Sequence, residues 1–259
     1  MSHIINSLDL CLFPQTAFYV EPPYCFVAGT LVHTDKGLVP IEQIKVGDRV
    51  LSKPEDGTGE AAYKPVVRTV EFEDKEIWHL PIKPFPERLE PLDESWLLVT
   101  PNHPFWYVGQ AEFCFEKGGY TLPNPENGRW IRADELAYPC VIELKNGDFA
   151  LVNGRCWPLF QSVQKEVAWL QGHGATETPW REDEGIMLSL RENSCPTYAS
   201  VCGTVSLIRA NWHTKFDGAL NEDGSYPVFK HKVYNFEVAD FHTYYVGEHG
   251  VWVHNGVYS

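Results

Sequence analysis

The chain has 259 residues, 44% apolar and 14% aromatic, with 20 Gly and 19 Pro. It is too long for a disulfide-stapled miniprotein and too aromatic for a disordered chain, and its turn formers point to a globular, β-rich fold. Its 35 acidic and 21 basic residues leave a net charge of −14, which repels nucleic acid and anionic lipid, and no basic patch offsets it.

No run approaches the roughly 18 apolar residues of a membrane span, and the opening MSHIINSLDLCLFPQ lacks the basic start of a secretory signal. The seven cysteines form no Cys-x-x-Cys pair, so reduced, mostly buried thiols of a cytosolic chain are expected. Cys195 and Cys202, with six residues between them, are poorly spaced zinc ligands.

Residues 1–24 show little periodicity and end in Glu21-Pro22-Pro23-Tyr24, a stiff extended stretch that reads as a leader or linker. Short strands are expected at Thr30–Thr34, Leu38–Ile41 and Arg49–Ser52, parted by the turns Asp35-Lys36-Gly37 and Val46-Gly47-Asp48. Residues 65–80 alternate apolar and polar as one long strand or two short ones, before an acidic loop marked by Pro81, Pro84, Pro86 and Pro91. Strands at Trp96–Thr100 and Phe105–Val108 flank Pro101-Asn102-His103-Pro104, a turn stiffened by its prolines.

Cys140–Leu144 and Phe149–Val152 read as a hairpin about Asn146-Gly147-Asp148. Between Pro158 and Gly172, Phe160, Val163, Val167 and Leu170 recur at steps of three and four, which predicts the chain's one helix. A polar stretch follows to about residue 230, with one strand at Gly203–Ile208, and short strands with Gly turns close the chain from Val233 to Ser259. A faint internal echo links Pro40–Val50 to Trp130–Leu136, each an apolar turn beside a strand.

Reactive side chains concentrate in three places: Cys25, Thr100 with His103, and His242, His254 and Asn255. A cysteine opening a folded region can attack the carbonyl of the residue before it if a neighbour protonates the departing nitrogen, and His103 oriented by Thr100 can serve. An asparagine can attack its own carbonyl through its side-chain nitrogen, closing a succinimide and cutting the chain after itself. His254 and His242 are candidates to protonate the Gly256 nitrogen and steady the oxyanion. Singly, each feature has a plainer reading: Cys25 as buried filler, Thr100–His103 as a capped turn, Asn255-Gly256 as an ordinary turn pair. The set together favours chemistry.

Three segments resemble the Hint superfamily of Hedgehog and intein domains: Cys25-Phe-Val-Ala-Gly-Thr with Gly37-Leu-Val-Pro-Ile to Ser52, Thr100-Pro-Asn-His103, and Val233-Tyr-Asn-Phe-Glu-Val to His254-Asn255. The wording of the last is similar to the pretoxin subclass of bacterial polymorphic toxins. The resemblance implies an all-β, horseshoe-shaped Hint fold over 25–255 with a partly helical insertion at about 156–212, a leader at 1–24 and a flank at 256–259. It implies an N-to-S acyl shift on the Tyr24–Cys25 bond by Cys25, polarised by Thr100 and His103, and cyclisation of Asn255 assisted by His242 and His254.

No cofactor or metal is implied. The expected partners are an upstream or downstream toxin or delivery polypeptide and an immunity protein, with no nucleic acid or membrane. The setting implied is the bacterial cytoplasm before delivery by a specialised secretion system.

Gly256 offers no hydroxyl or thiol to accept an acyl group, which blocks splicing while leaving cleavage open. Asn235 stands where many inteins place an aspartate, and an amide cannot serve as the general base coupling the two steps. Cys25 chemistry is therefore expected to be slow or lost, and single-turnover cleavage after Asn255 to dominate. Only four residues follow Asn255, which motivates an alternative: a Hint-fold effector that is itself toxic or binds a partner or metal. A cysteine hydrolase acting in trans through Cys25 and His103 is a third reading. The cleavage readings require Cys25, Thr100, His103, His254 and Asn255 in one cluster, with backbone strain expected at Tyr24 or Cys25.

Overall fold

The computed structural model describes residues 23–85, 95–114, 116, 119–172, 184–190, 206–207 and 214–255. Among these the fold is all-β, and every registered strand pair is antiparallel. No helix among them is long and apolar enough to cross a membrane. The largest sheet draws its strands from between Phe26 and His254 and closes on itself, because the last strand, Val251–His254, pairs with Pro104–Gln110 near the other end of the strand order. The expected alternating segment at 65–80 is two strands, Ala62–Glu76 and Trp78–Pro84, broken at the buried Ile77.

The second of these strands extends past the expected start of the proline loop. Pro81 and Pro84 pair within it, opposite Trp96 and Ala150, and the Pro81 carbonyl accepts the Asn153 N–H. Residues 86–94, where that loop was placed, lie outside the described residues.

Strand Ser95–Val99 is buried along its full length because it separates two cores. Leu97 and Val99 face the main core, with Phe26, Phe105 and Tyr244. Trp96 and Leu98 face a second core, with Cys25, Val27, Leu170 and Leu188. Neighbouring strand Phe26–Val27 obeys the same alternation, so Phe26 points into the first core while Cys25 and Val27 point into the second.

The second core is capped by a small sheet in the order Phe160–Gln161, Val167–Gln171, Glu184–Ser189, Ser206–Leu207, with Thr214–Lys215 also on Glu184–Ser189. This corrects the helix expected over 158–172. Phe160 and Trp169 are cross-strand partners, and Val163, meant for the buried helical face, is 70% exposed. The turn is made by local polar chemistry. Ser162 Oγ accepts the Gln164 N–H and donates to Asp217, while Glu166 adopts left-handed φ of 61°. Ser206–Leu207 falls inside the strand expected at Gly203–Ile208; the rest of that segment, with Cys195 and Cys202, lies outside the described residues.

The faint echo has a structural counterpart. Ile41–Gln43 and Ala133–Glu135 are both 3-10 turns, closed by Ile44 N–H to Ile41 O at 3.2 Å and Leu136 N–H to Ala133 O at 3.0 Å. Each clips the residue just before a strand: Ile41 N–H to Thr30 O and Ala133 N–H to His103 O, both 2.8 Å. The second clip fixes the main chain of His103.

Candidate functional site

The Tyr24–Cys25 peptide is held at both ends. Its nitrogen donates to Thr100 Oγ1 at 3.0 Å, and its carbonyl oxygen accepts Asn235 Nδ2 at 2.6 Å. Thr100 N–H in turn donates to Cys25 O at 3.0 Å, so the chain enters the sheet in an extended, doubly bonded arrangement. Neither Tyr24 nor Cys25 has left-handed backbone, whereas His242 does, with φ of 53°. The Cys25 side chain is buried, packed in the second core under the small sheet.

His103 is also buried, its ring 4.3 Å from that of Phe26 and 6.2 Å from that of Tyr24, the two chain neighbours of Cys25. Both of its ring nitrogens are buried without a hydrogen-bond partner among the described residues. Burial holds its pKa well below the ordinary histidine value, and the nearby His254 pushes the same way, so the imidazole is neutral at physiological pH.

Asn255 lies at the end of the last strand, fully buried. Its N–H donates to His242 O at 2.9 Å and its Nδ2 to Phe236 O at 3.1 Å, while Oδ1 is buried with no partner among the described residues. The left-handed backbone at His242 turns its carbonyl toward Asn255. His242 Nδ1 is likewise buried and unpartnered among the described residues. His254 points elsewhere: its Nε2 bonds Glu55 Oε2 at 2.7 Å and its ring packs 5.1 Å from that of Trp130. Burial lowers its pKa, the Glu55 carboxylate opposes that shift, and His242 adds to it.

The structure therefore joins Cys25 to Thr100 through the main chain, sets His103 beside the rings of Phe26 and Tyr24 while the Cys25 side chain faces the second core, and couples His254 electrostatically to His103 and His242. The two ends meet on one strand, Lys230–Val238, where Asn235 holds Tyr24 and Phe236 holds Asn255.

The first stretch of this locale, from Tyr24 through the Thr100–His103 turn, lies within residues 24–125, which match the sequence profile of the family described as the Hint domain. Over these residues the chain is Hint in sequence. Its all-β architecture is that of the Hint fold.

Among solved structures similar to this chain is a bacterial intein-like domain from Clostridium thermocellum, 24% identical, covering 89% of this chain and 98% of that one, with a TM-score of 0.46. A DnaB intein from Synechocystis sp. PCC 6803 is 13% identical over 90% and 99% of the two chains, with a TM-score of 0.43. The gp41-1 intein is 13% identical over 90% and 100%, with a TM-score of 0.38. No curated protein matches the chain in sequence.

Sequence reasoning missed two participants. Glu55 carries no signal at all, since it sits in a loop 199 residues from the histidine it binds. Asn235 was seen only as a missing aspartate, while Tyr244, which donates to Asn235 Oδ1 at 2.7 Å, lay unremarked in the closing block.

Proposed function

We propose that the chain is a single-turnover autoprocessing domain that breaks peptide bonds within its own polypeptide: after Asn255 by cyclisation of that residue, and before Cys25 through a thioester. The observation that carries this reading is the convergence of both ends on adjacent residues of one strand, Asn235 on the Tyr24 carbonyl and Phe236 on the Asn255 side chain. Fixing reacting groups in this way removes the entropic cost of bringing them together. At the C-terminal end, the bond from Asn255 to Phe236 O fixes the side-chain nitrogen, and His242 supplies an imidazole at the residue whose carbonyl holds the Asn255 N–H. At the N-terminal end, Thr100 accepts the N–H of the nitrogen that must leave, which favours positive charge there as it is protonated.

Because residue 256 is glycine, the products are cleaved rather than spliced chains. The polypeptide released or retained is then a covalently attached toxin or delivery segment, processed in the bacterial cytoplasm or after delivery, with an immunity protein as partner; the resemblance of the closing block to pretoxin domains supports that setting.

The test is intact-mass spectrometry of the full chain carrying a folded reporter after Gly256, with and without thiol. A fragment ending at Asn255, one water lighter than the free acid, that vanishes in Asn255→Ala is expected. His242→Gly, which suits the left-handed backbone while deleting the imidazole, is expected to slow it. A chain that stays intact over days would sink the proposal.

A further inference from the structure

Asn235 is 2% exposed, and all of its side-chain bonds given by the geometry are directional. Oδ1 receives the Phe236 N–H at 2.7 Å and the Tyr244 hydroxyl at 2.7 Å. A main-chain N–H can only donate, so the atom facing it must be the oxygen, and the amide cannot be turned round. The nitrogen is thereby fixed toward Tyr24 O, 2.6 Å away. A carboxylate at this position would present an oxygen to that carbonyl and repel it; the amide presents a donor.

We propose that Asn235 is the oxyanion donor of the Cys25 acyl shift, with Tyr244 as the residue that positions it. This rests on the reading that Cys25 forms a thioester. The Cys25 sulfur forms a bond to the Tyr24 carbonyl carbon and the carbonyl π pair moves onto oxygen, where Asn235 Nδ2 stabilises it. The oxyanion then re-forms the carbonyl and breaks the C–N bond. The nitrogen departs with the proton the thiol gave up, so the step gains and loses no atoms and changes no oxidation state. A donor already aimed at the oxygen, in a site shielded from water, is the arrangement that most favours such a charge. The amide is then a working replacement for the aspartate of related domains, and the expectation that Asn235 disables Cys25 is reversed.

The experiment uses the full chain with a folded reporter before Met1, cleaved by added thiol, in the parent, Cys25→Ala, Asn235→Ala and Asn235→Asp forms. Asn235→Ala is expected to slow Cys25-dependent cleavage by about 100- to 1,000-fold. Asn235→Asp keeps both bonds to Oδ1, so it is the folded control. It is expected to be as slow at neutral pH and to recover relative to the parent as acid protonates the carboxyl and restores a donor, a pH profile that a merely structural residue would not produce.

A second readout needs no turnover. Tyr24-Cys25 is the only Tyr-Cys pair in the chain, so ¹³C-carbonyl tyrosine with ¹⁵N cysteine singles out this one peptide bond. Its carbonyl resonance is expected upfield in Asn235→Ala. Asn235→Ala cleavage within about threefold of the parent, Asn235→Asp faster than the parent at neutral pH, or an unmoved carbonyl resonance would each overturn the proposal while leaving the thioester reading intact. A parent that shows no Cys25-dependent cleavage would overturn both.

Discussion

At the scale of single residues, the chemistry turns on how few groups grip one peptide. Thr100 Oγ1 is the acceptor for the Cys25 N–H, and its own hydroxyl proton lies within reach of the Pro23 and Cys25 carbonyls, at 3.3 and 3.4 Å. Thr100→Val keeps the shape and deletes the oxygen. It is expected to slow thiol-induced cleavage about 100-fold and, by leaving a buried N–H unpaired, to cost about 1–3 kcal/mol in a urea titration. Thr100→Ser should restore the cleavage rate; a valine variant cleaving at the parental rate would remove Thr100 from the mechanism.

Thr100 and His103 were legible in sequence because a proline-bounded turn holds both within four residues. Asn235 was visible yet misread, since a sequence gives the type of an amide and not the way it faces. Only the Phe236 N–H and Tyr244 hydroxyl on Oδ1 reveal that Nδ2 is the end turned to the Tyr24 carbonyl.

At the scale of elements, local turn chemistry told more than periodicity did. The turns at Gly37, Gly47 and Asn146-Gly147 were readable because left-handed backbone there, with φ of 103°, 93°, 63° and 76°, calls for glycine or asparagine. The segment 158–172 was misread as helix because apolar residues at helical spacing also suit a tight hairpin, on which Phe160, Val167 and Trp169 pack together on one face while Leu170 turns to the second core. The decisive residues, Ser162 and Glu166, carry no apolar signal.

One substitution separates the two structures by sign. Glu166 has left-handed φ of 61°, so Glu166→Gly relieves strain and is expected to raise stability by about 0.5 kcal/mol in chemical denaturation. In the middle of a helix the same change would cost about 1 kcal/mol. A clear loss of stability would argue against the hairpin, and with it against the small sheet that covers Cys25.

At the scale of the whole molecule, two cores divided by one strand bury histidines on both sides, and this ties stability to pH. His103 lies in the main core beside Phe26, and His79 packs edge-on against Trp96, its ring centroid 4.5 Å away. Burial lowers the pKa of both, that of His79 to about 3.

Below pH 6.5 the unfolded chain takes up protons at these positions that the folded chain refuses. Their contribution is therefore complete above about pH 6.5 and is lost progressively as pH falls toward the folded values. By pH 5 His79 should cost about 2 kcal/mol, a large fraction of the roughly 5–15 kcal/mol that holds a domain folded. Urea titrations at pH 7, 6 and 5 should show stability falling with acid. His79→Phe, which keeps an aromatic ring against Trp96, should reduce that slope by one proton whatever it does to stability at pH 7. An unchanged slope would mean that His79 is protonated as readily in the folded chain as in the unfolded one, and that the second core admits water around it.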